Sequence, residues 1–268
     1  MEVREVRLKG IVKKYGRFTL SIDSLSFEKG TSLVVGPNGS GKTTLIKVAS
    51  GLVLPKKGSV QYILDRGGAA PPEEVAEKVS VVLEEVELPP IRVYDLLEAY
   101  IGDRIKVNEV IEEFELGGVT GKRYNELSSG FKKRVQLAIG MSRDPEVLFI
   151  DEPFTNIDPY FVPRLRGLLK EMARDRIVVV ISHQDLGYVP DKIVLLNEGR
   201  IVYEGPGQEA YRARVKLLVR AGNKLAKTGI DEVNHLLEEE GSRLRIEDVE
   251  VENLVEKLMG GSSVYTKR

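Results

Sequence analysis

The sequence predicts an α/β fold with a core built around a phosphate-binding loop, an N-terminal antiparallel β subdomain, an inserted helical subdomain and a small C-terminal extension. Three observations carry this. The run Leu33-Val34-Val35 enters Gly36-Pro37-Asn38-Gly39-Ser40-Gly41-Lys42-Thr43-Thr44, and an apolar-periodic helix follows through Leu45, Ile46 and Val48. Two further continuous apolar runs, Val147 to Ile150 and Ile177 to Ile181, read as strands covered on both faces, the mark of a parallel sheet. Between the first helix and those strands, from Ile91 to about Met141, the apolar period changes from that of a strand to that of a helix.

The loop explains its own residue types. Gly36, Gly39 and Gly41 let the backbone curl so that successive N–H groups point at phosphate oxygens, and a helix N-terminus adds partial positive charge. Lys42 reaches the β- and γ-phosphates, and the Thr43 hydroxyl can ligate a bridging Mg²⁺.

Ahead of the loop, Val3, Val6 and Leu8, then Phe18, Leu20, Ile22, Leu25 and Phe27, alternate with polar residues and predict short antiparallel strands. Tyr15 lies between them, about twenty residues before the phosphate loop. It can stack on a purine ring, or it is a turn tyrosine; spacing alone does not choose. Past the first helix, Ser59 to Leu64 predicts a strand, 67–72 a hairpin tip or loop, and Val79 to Leu83 a buried strand ending at Glu84-Glu85.

In the helical block, Val93, Leu96, Leu97, Tyr100 and Ile101 share one face and Val107, Val110, Ile111 and Phe114 another, before Gly117, Gly118 and Gly121 interrupt. Leu127-Ser128-Ser129-Gly130 then opens a helix, with small polar residues at the capping position. Taken by itself, this is an N-cap.

Asp151 and Glu152 close the run Val147 to Ile150, at the carboxyl end where ligands gather in open α/β sheets. A carboxylate buried there calls for a cation, which Mg²⁺ on a nucleotide would supply to Asp151. Glu152 can polarise a water in line with a γ-phosphorus, as general base or by orienting it. His183 follows the next core strand in the same manner and predicts a γ-phosphate contact. Lys192 to Leu196 and Arg200 to Tyr203 make a hairpin about Asn197-Glu198-Gly199.

After Gly205-Pro206 the composition changes. Ala210 to Val219 predicts a basic amphipathic helix, Val233 to Leu237 and Leu254 to Met259 two short ones, and 260–268 a loose end.

With 268 residues the chain can bury a full core, and one domain with an inserted lobe accounts for the length. The formal net charge of −1, with 30% charged residues, leaves no nucleic-acid footprint. The lack of Cys excludes a disulfide framework and thiol-ligated metal. No stretch has the length of a signal peptide core or a membrane span, so a membrane role is expected only through a partner.

In order and spacing, the phosphate loop, the Leu-Ser-x-Gly element, the strand with Asp151-Glu152 and the strand with His183 resemble the ATP-binding cassette ATPases, the nucleotide-binding subunits of ABC transporters. The likeness runs from about residue 3 to 205; 1–205 is expected to be the ATPase domain, with a helical subdomain at about 86–141, and 206–268 an accessory segment. The resemblance implies a RecA-like P-loop NTPase that binds ATP and Mg²⁺. It implies that Tyr15 stacks the adenine, 36–44 hold the phosphates, Glu152 is the catalytic base and His183 the switch. Ser128, Ser129 and Gly130 would contact ATP held by a second ATPase subunit, with Asp158 in the loop that spans the dimer. Where the family usually has Gln, this chain has Glu84, expected to face the metal with Thr43 and Asp151; Ser129 and Phe131 stand where Gly and Gln are commonest.

The implied activity is ATP hydrolysis in a homo- or heterodimer that drives a separate transmembrane permease from the cytoplasmic face of the cell membrane. The Glu84-Glu85 pair and the segment 249–258 are similar to ATPases of ABC-2-type exporters. The alternative is an ABC ATPase that moves no solute, as in metal-cluster assembly. Chromosome maintenance would need a long coiled coil, and translation-type relatives carry two cassettes; the sequence has neither. A guanine-reading element is missing too, since Asn223-Lys224-Leu225-Ala226 lacks its aspartate.

Overall fold

A computed structural model describes residues 1–84, 86–182, 184, 186–212, 215–221, 224–229 and 244–251. Its centre is a six-stranded sheet in the order β10-β9-β3-β8-β7-β6. The strands are β3 (Gly30–Val35), β6 (Val79–Val82), β7 (Val147–Asp151), β8 (Ile177–Ile181), β9 (Lys192–Asn197) and β10 (Arg200–Pro206). All neighbours are parallel except β9 and β10, the predicted hairpin.

The apolar runs at β7 and β8 exist because this sheet is covered twice. Leu148, Ile150, Val178 and Val180 pack into one hydrophobic cluster with α2 (Val93–Ile101), α3 (Arg104–Glu113), α4 (Ser129–Ser142) and α5 (Val162–Met172). Val147, Phe149, Ile177, Val179 and Ile181 face a second cluster with α1 (Lys42–Ala49) and an antiparallel sheet. That sheet, ordered β2-β1-β4-β5, comprises β1 (Val3–Tyr15), β2 (Phe18–Glu28), β4 (Lys57–Leu64) and β5 (Ala69–Ala70). Phe27 of β2 meets Phe149 of β7 edge-on, with ring centroids 6.3 Å apart, and so ties the two sheets together.

The antiparallel strands are longer than their apolar alternation suggested. β1 continues through Lys13 and Lys14 because β2 pairs with it out to Tyr15↔Phe18, whereas its pairing with β4 runs from Val3↔Leu64 to Val12↔Lys57. Cross-strand pairing thus carries a polar stretch into the sheet. After β5, a 3-10 helix spans Pro72–Lys78, beginning with proline where no N–H is required.

One expectation is corrected. Ala210 to Val219 is not a single helix: α6 covers Gly207–Arg212, and Val215–Ala221 is strand β11. β11 lies between β12 (Lys224–Gly229) and β13 (Leu244–Val251), antiparallel to both, so pairing on two sides decides the conformation of a β-branched segment whose apolar residues fit either period. The helices predicted at 233–237 and 254–259 lie outside the described residues. Among the described residues, no helix is long and apolar enough to cross a membrane.

Candidate functional site

Strand register places the chemistry. Val34 of β3 and Asp151 of β7 both pair with Ile181, the last residue of β8, so the loop that follows β3 and the acids that end β7 straddle one strand end. Glu152 continues this alignment through its N–H, which donates to the Ile181 carbonyl at 2.9 Å.

From β3 the chain turns through Gly36 to Gly41 into α1. Gly41 has φ 105° at the helix N-cap, and a Cβ there would lie 2.7 Å from the Phe18 ring; Gly36 would strike the Leu196 carbonyl. Only glycine allows the loop to press this closely against β2 and β9. Ser40, 3% exposed, is held within the loop by its N–H to the Pro37 carbonyl and by the Gly199 N–H to its own carbonyl.

Lys42 curls back over the loop, and its Nζ donates to the carbonyls of Gly36 at 2.7 Å and Pro37 at 3.1 Å. Burial lowers its pKa, while Glu152, Asp151 and Glu84 act in the opposite sense. Thr43 Oγ1 donates to Asp151 Oδ2 at 2.6 Å, a direct link from the loop to the acidic strand end. Asp151 and Glu152 are both buried. Glu152 has φ 48°, a left-handed conformation uncommon for a residue with a side chain and concentrated at functional sites.

These residues surround a cleft of about 460 Å³ lined by Tyr15, Phe18, Asn38, Gly39, Gly41, Lys42, Thr43, Thr44, Glu84, Asp151 and Glu152. Tyr15 and Phe18 flank the tight turn between β1 and β2, in which Gly16 has φ 53°, and form the cleft's aromatic wall; Lys13 Nζ lies 5.3 Å from the Tyr15 ring centroid. Sequence reading did not single out Phe18, although its pairing with Tyr15 across a two-residue hairpin was available as a signal.

The donors suit Mg²⁺ as carried by a nucleotide. Thr43 Oγ1 and the Asp151 carboxylate are hard oxygens already in contact, and Mg²⁺ commonly takes one or two carboxylates together with substrate phosphates. Correspondingly, among the described residues no cluster of three or more His, Cys, Asp or Glu forms an all-protein metal cage. The glycine cradle with Lys42 suits a polyphosphate.

Ser128, Ser129, Gly130 and Asp158 do not line this cleft. Ser128 is the N-cap of α4, accepting from the Phe131 N–H at 3.5 Å. A Cβ on Gly130 would lie 2.7 Å from the Asn156 carbonyl, so the start of α4 rests directly on the backbone that follows Glu152. Asp158 is exposed and accepts from the Tyr160 N–H at 2.9 Å before α5. Ser129 lines a neighbouring groove of about 400 Å³ with Thr155, Asn156, Lys132, Lys133 and Gln136, and Glu84 lines both spaces. His183 and Glu85 lie outside the described residues.

The structure adds Lys133, which the sequence presents as one of three consecutive basic residues. It is 5% exposed, and its Nζ donates to the Asp151 carbonyl at 3.0 Å.

Residues 20–155 match the family described as ABC transporter. An ABC transporter ATP-binding protein of Pyrococcus furiosus is 32% identical over 229 residues, covering 79% of this chain and 87% of that protein. The petrobactin import ATP-binding protein of Bacillus subtilis is 28% identical, covering 78% and 90%. The energy-coupling factor transporter ATP-binding protein of Methanothermobacter thermautotrophicus is 29% identical, covering 80% and 73%. Among solved structures, the ATP-binding subunit of an ABC transporter superposes with a TM-score of 0.67 at 20% identity, over 77% of this chain and 92% of that one, a likeness of fold.

Proposed function

Since the chain belongs to the ABC transporter family, as an ATP-binding subunit and ATPase, we propose that its phosphate-loop cleft hydrolyses Mg·ATP when a second ATPase subunit closes over it, and that turnover drives a separate permease. The observation that carries this is the Thr43–Asp151 hydrogen bond beside Glu152, which joins the phosphate cradle to the acidic end of β7.

Each role follows from position. The N–H groups of 38–44 and the Lys42 ammonium would take the phosphates; Thr43 and Asp151 would hold Mg²⁺, with Glu84 on the same cleft. When bound, Mg²⁺ supplies charge neutralisation at the β- and γ-phosphate oxygens. Glu152 accepts a proton from, or orients, the attacking water. Tyr15, with Phe18, stacks on the adenine. His183 is assigned the γ-phosphate contact on its place after β8 in the sequence.

Ser128, Ser129 and Gly130 stand away from the cleft of their own chain, and this supports assigning them to nucleotide held by a partner. That partner is a second copy of this chain or a related subunit, with Asp158 in the segment between the two sites. Residues 1–205 are the ATPase domain in this reading, 206–268 an accessory segment, and the membrane is reached only through the permease, at its cytoplasmic side. The names of the relatives favour transport over metal-cluster assembly.

Glu152→Gln tests the assignment. It should retain ATP binding, dimerise with ATP in sedimentation, and lose turnover by about 10²–10⁴-fold, the range for loss of a general base. Unchanged turnover would remove Glu152 from its role.

A further inference from the structure

Two buried ammonium groups meet the acidic strand ends, and only Lys42 belongs to the phosphate loop. Lys133, in the second turn of α4, donates to the Asp151 carbonyl at 3.0 Å and to the Leu83 carbonyl at 3.5 Å, so it clamps the ends of β7 and β6 from the groove side. α4 reaches that position by lying close on β6, where a Cβ on Gly140 would come within 2.3 Å of Val82.

Lysine is rarely buried without compensation. Here burial pulls the Lys133 pKa down, while Asp151, Glu84 and Glu152 pull it back; the same carboxylates act on Lys42. Three carboxylates against two ammonium groups leave an excess charge of −1 at this end of the sheet, and without Lys133 the excess would be −2. Glu84 is the member of the set that lines both the cleft and the groove, whereas Lys133 lines the groove alone.

We propose that Lys133 is a positioning residue for nucleotide binding: its charge, anchored on the Asp151 and Leu83 carbonyls, offsets Glu84 and so lets a carboxylate border the phosphate cleft without repelling the polyphosphate. Lys133 acts through Glu84 and through the strand ends, and touches no nucleotide itself. The proposal rests on the reading of the cleft as the Mg·ATP site.

The test is a double-mutant cycle on the full chain, with Mg·ATP affinity measured by calorimetry for wild type, Lys133→Met, Glu84→Gln and the double variant, and thermal midpoints recorded without nucleotide. Lys133→Met should weaken Mg·ATP about tenfold, the order expected for one unit charge roughly 10 Å away at an effective dielectric of about 20. Glu84→Gln should tighten binding by about as much as Lys133→Met weakens it, bringing the double variant to within about threefold of wild type, since removing one charge of each sign leaves the local excess unchanged. A packing role alone would leave Glu84→Gln at wild-type affinity and the double variant as weak as Lys133→Met, and that result overturns the proposal, as does wild-type affinity in Lys133→Met. Should Lys133→Met fail to fold, Glu84→Gln alone decides: tighter binding, with a weaker dependence on ionic strength, supports the pairing, and unchanged affinity refutes it. If wild type binds no nucleotide, or Lys42→Ala binds as well as wild type, the nucleotide reading itself has failed.

Discussion

Lys42 and Lys133 act on the same three carboxylates, Lys42 from the phosphate cleft at the start of α1 and Lys133 from the neighbouring groove on α4. Lys42 is placed by its immediate neighbours: glycines with positive φ shape the turn, and the loop's own carbonyls receive the ammonium. Lys133 is placed by contacts far along the chain, through the approach of Gly140 to β6 and the carbonyls of Leu83 and Asp151. Two buried ammonium groups that belong to one charge set thus have quite different origins. A motif can encode the first, while only the assembled sheet produces the second.

The contrast is sharpest in Lys42→Ala. Hydrogen bonds to charged groups contribute about 1.5–3 kcal/mol each, so loss of this ammonium should weaken Mg·ATP by about 100-fold in calorimetry, well beyond the effect expected at Lys133. Equal losses at the two positions would break the distinction between direct and indirect action.

A smaller effect is expected where the start of α4 rests on the 152–158 segment. In Gly130→Ala the new methyl lies 2.7 Å from the Asn156 carbonyl, and relieving such overpacking costs about 1–3 kcal/mol. Turnover should fall roughly tenfold, while Mg·ATP affinity at the chain's own phosphate cleft stays within about twofold of wild type. A matched loss of affinity would show that Gly130 acts within one chain and not across two.

The smallest effect belongs to the aromatic wall. Tyr15→Ala should reduce ATP affinity by about two- to tenfold, corresponding to about 0.5–1.5 kcal/mol for an aromatic contact, and should leave binding of inorganic triphosphate unchanged. Equal losses for both ligands would assign Tyr15 to the turn alone.

The same division describes what the sequence made legible. The loop, the acidic strand end and the parallel strands could be read because each is written in consecutive residues: glycines at fixed offsets, or five apolar residues where a sheet has two covered faces. Lys133 could not, since nothing local distinguishes it within Lys132-Lys133-Arg134, and it is the docking of α4 that buries Lys133 and Arg134. The extension of β1 through Lys13 and Lys14 was hidden because these residues break the apolar alternation, and what sustains them is their pairing with Leu20 and Thr19 of β2. Val215 to Val219 failed in a related way. Its period was ambiguous, and strands on both sides fixed it.

The central claim is that turnover needs two subunits, with Ser128 to Gly130 of one completing the cleft of the other. The most direct measurement is ATP turnover per chain across a dilution series of the purified protein, with the sedimentation state followed at each point. The account predicts that turnover per chain falls toward zero as the protein becomes monomeric. Constant turnover per chain into the strictly monomeric range would contradict it.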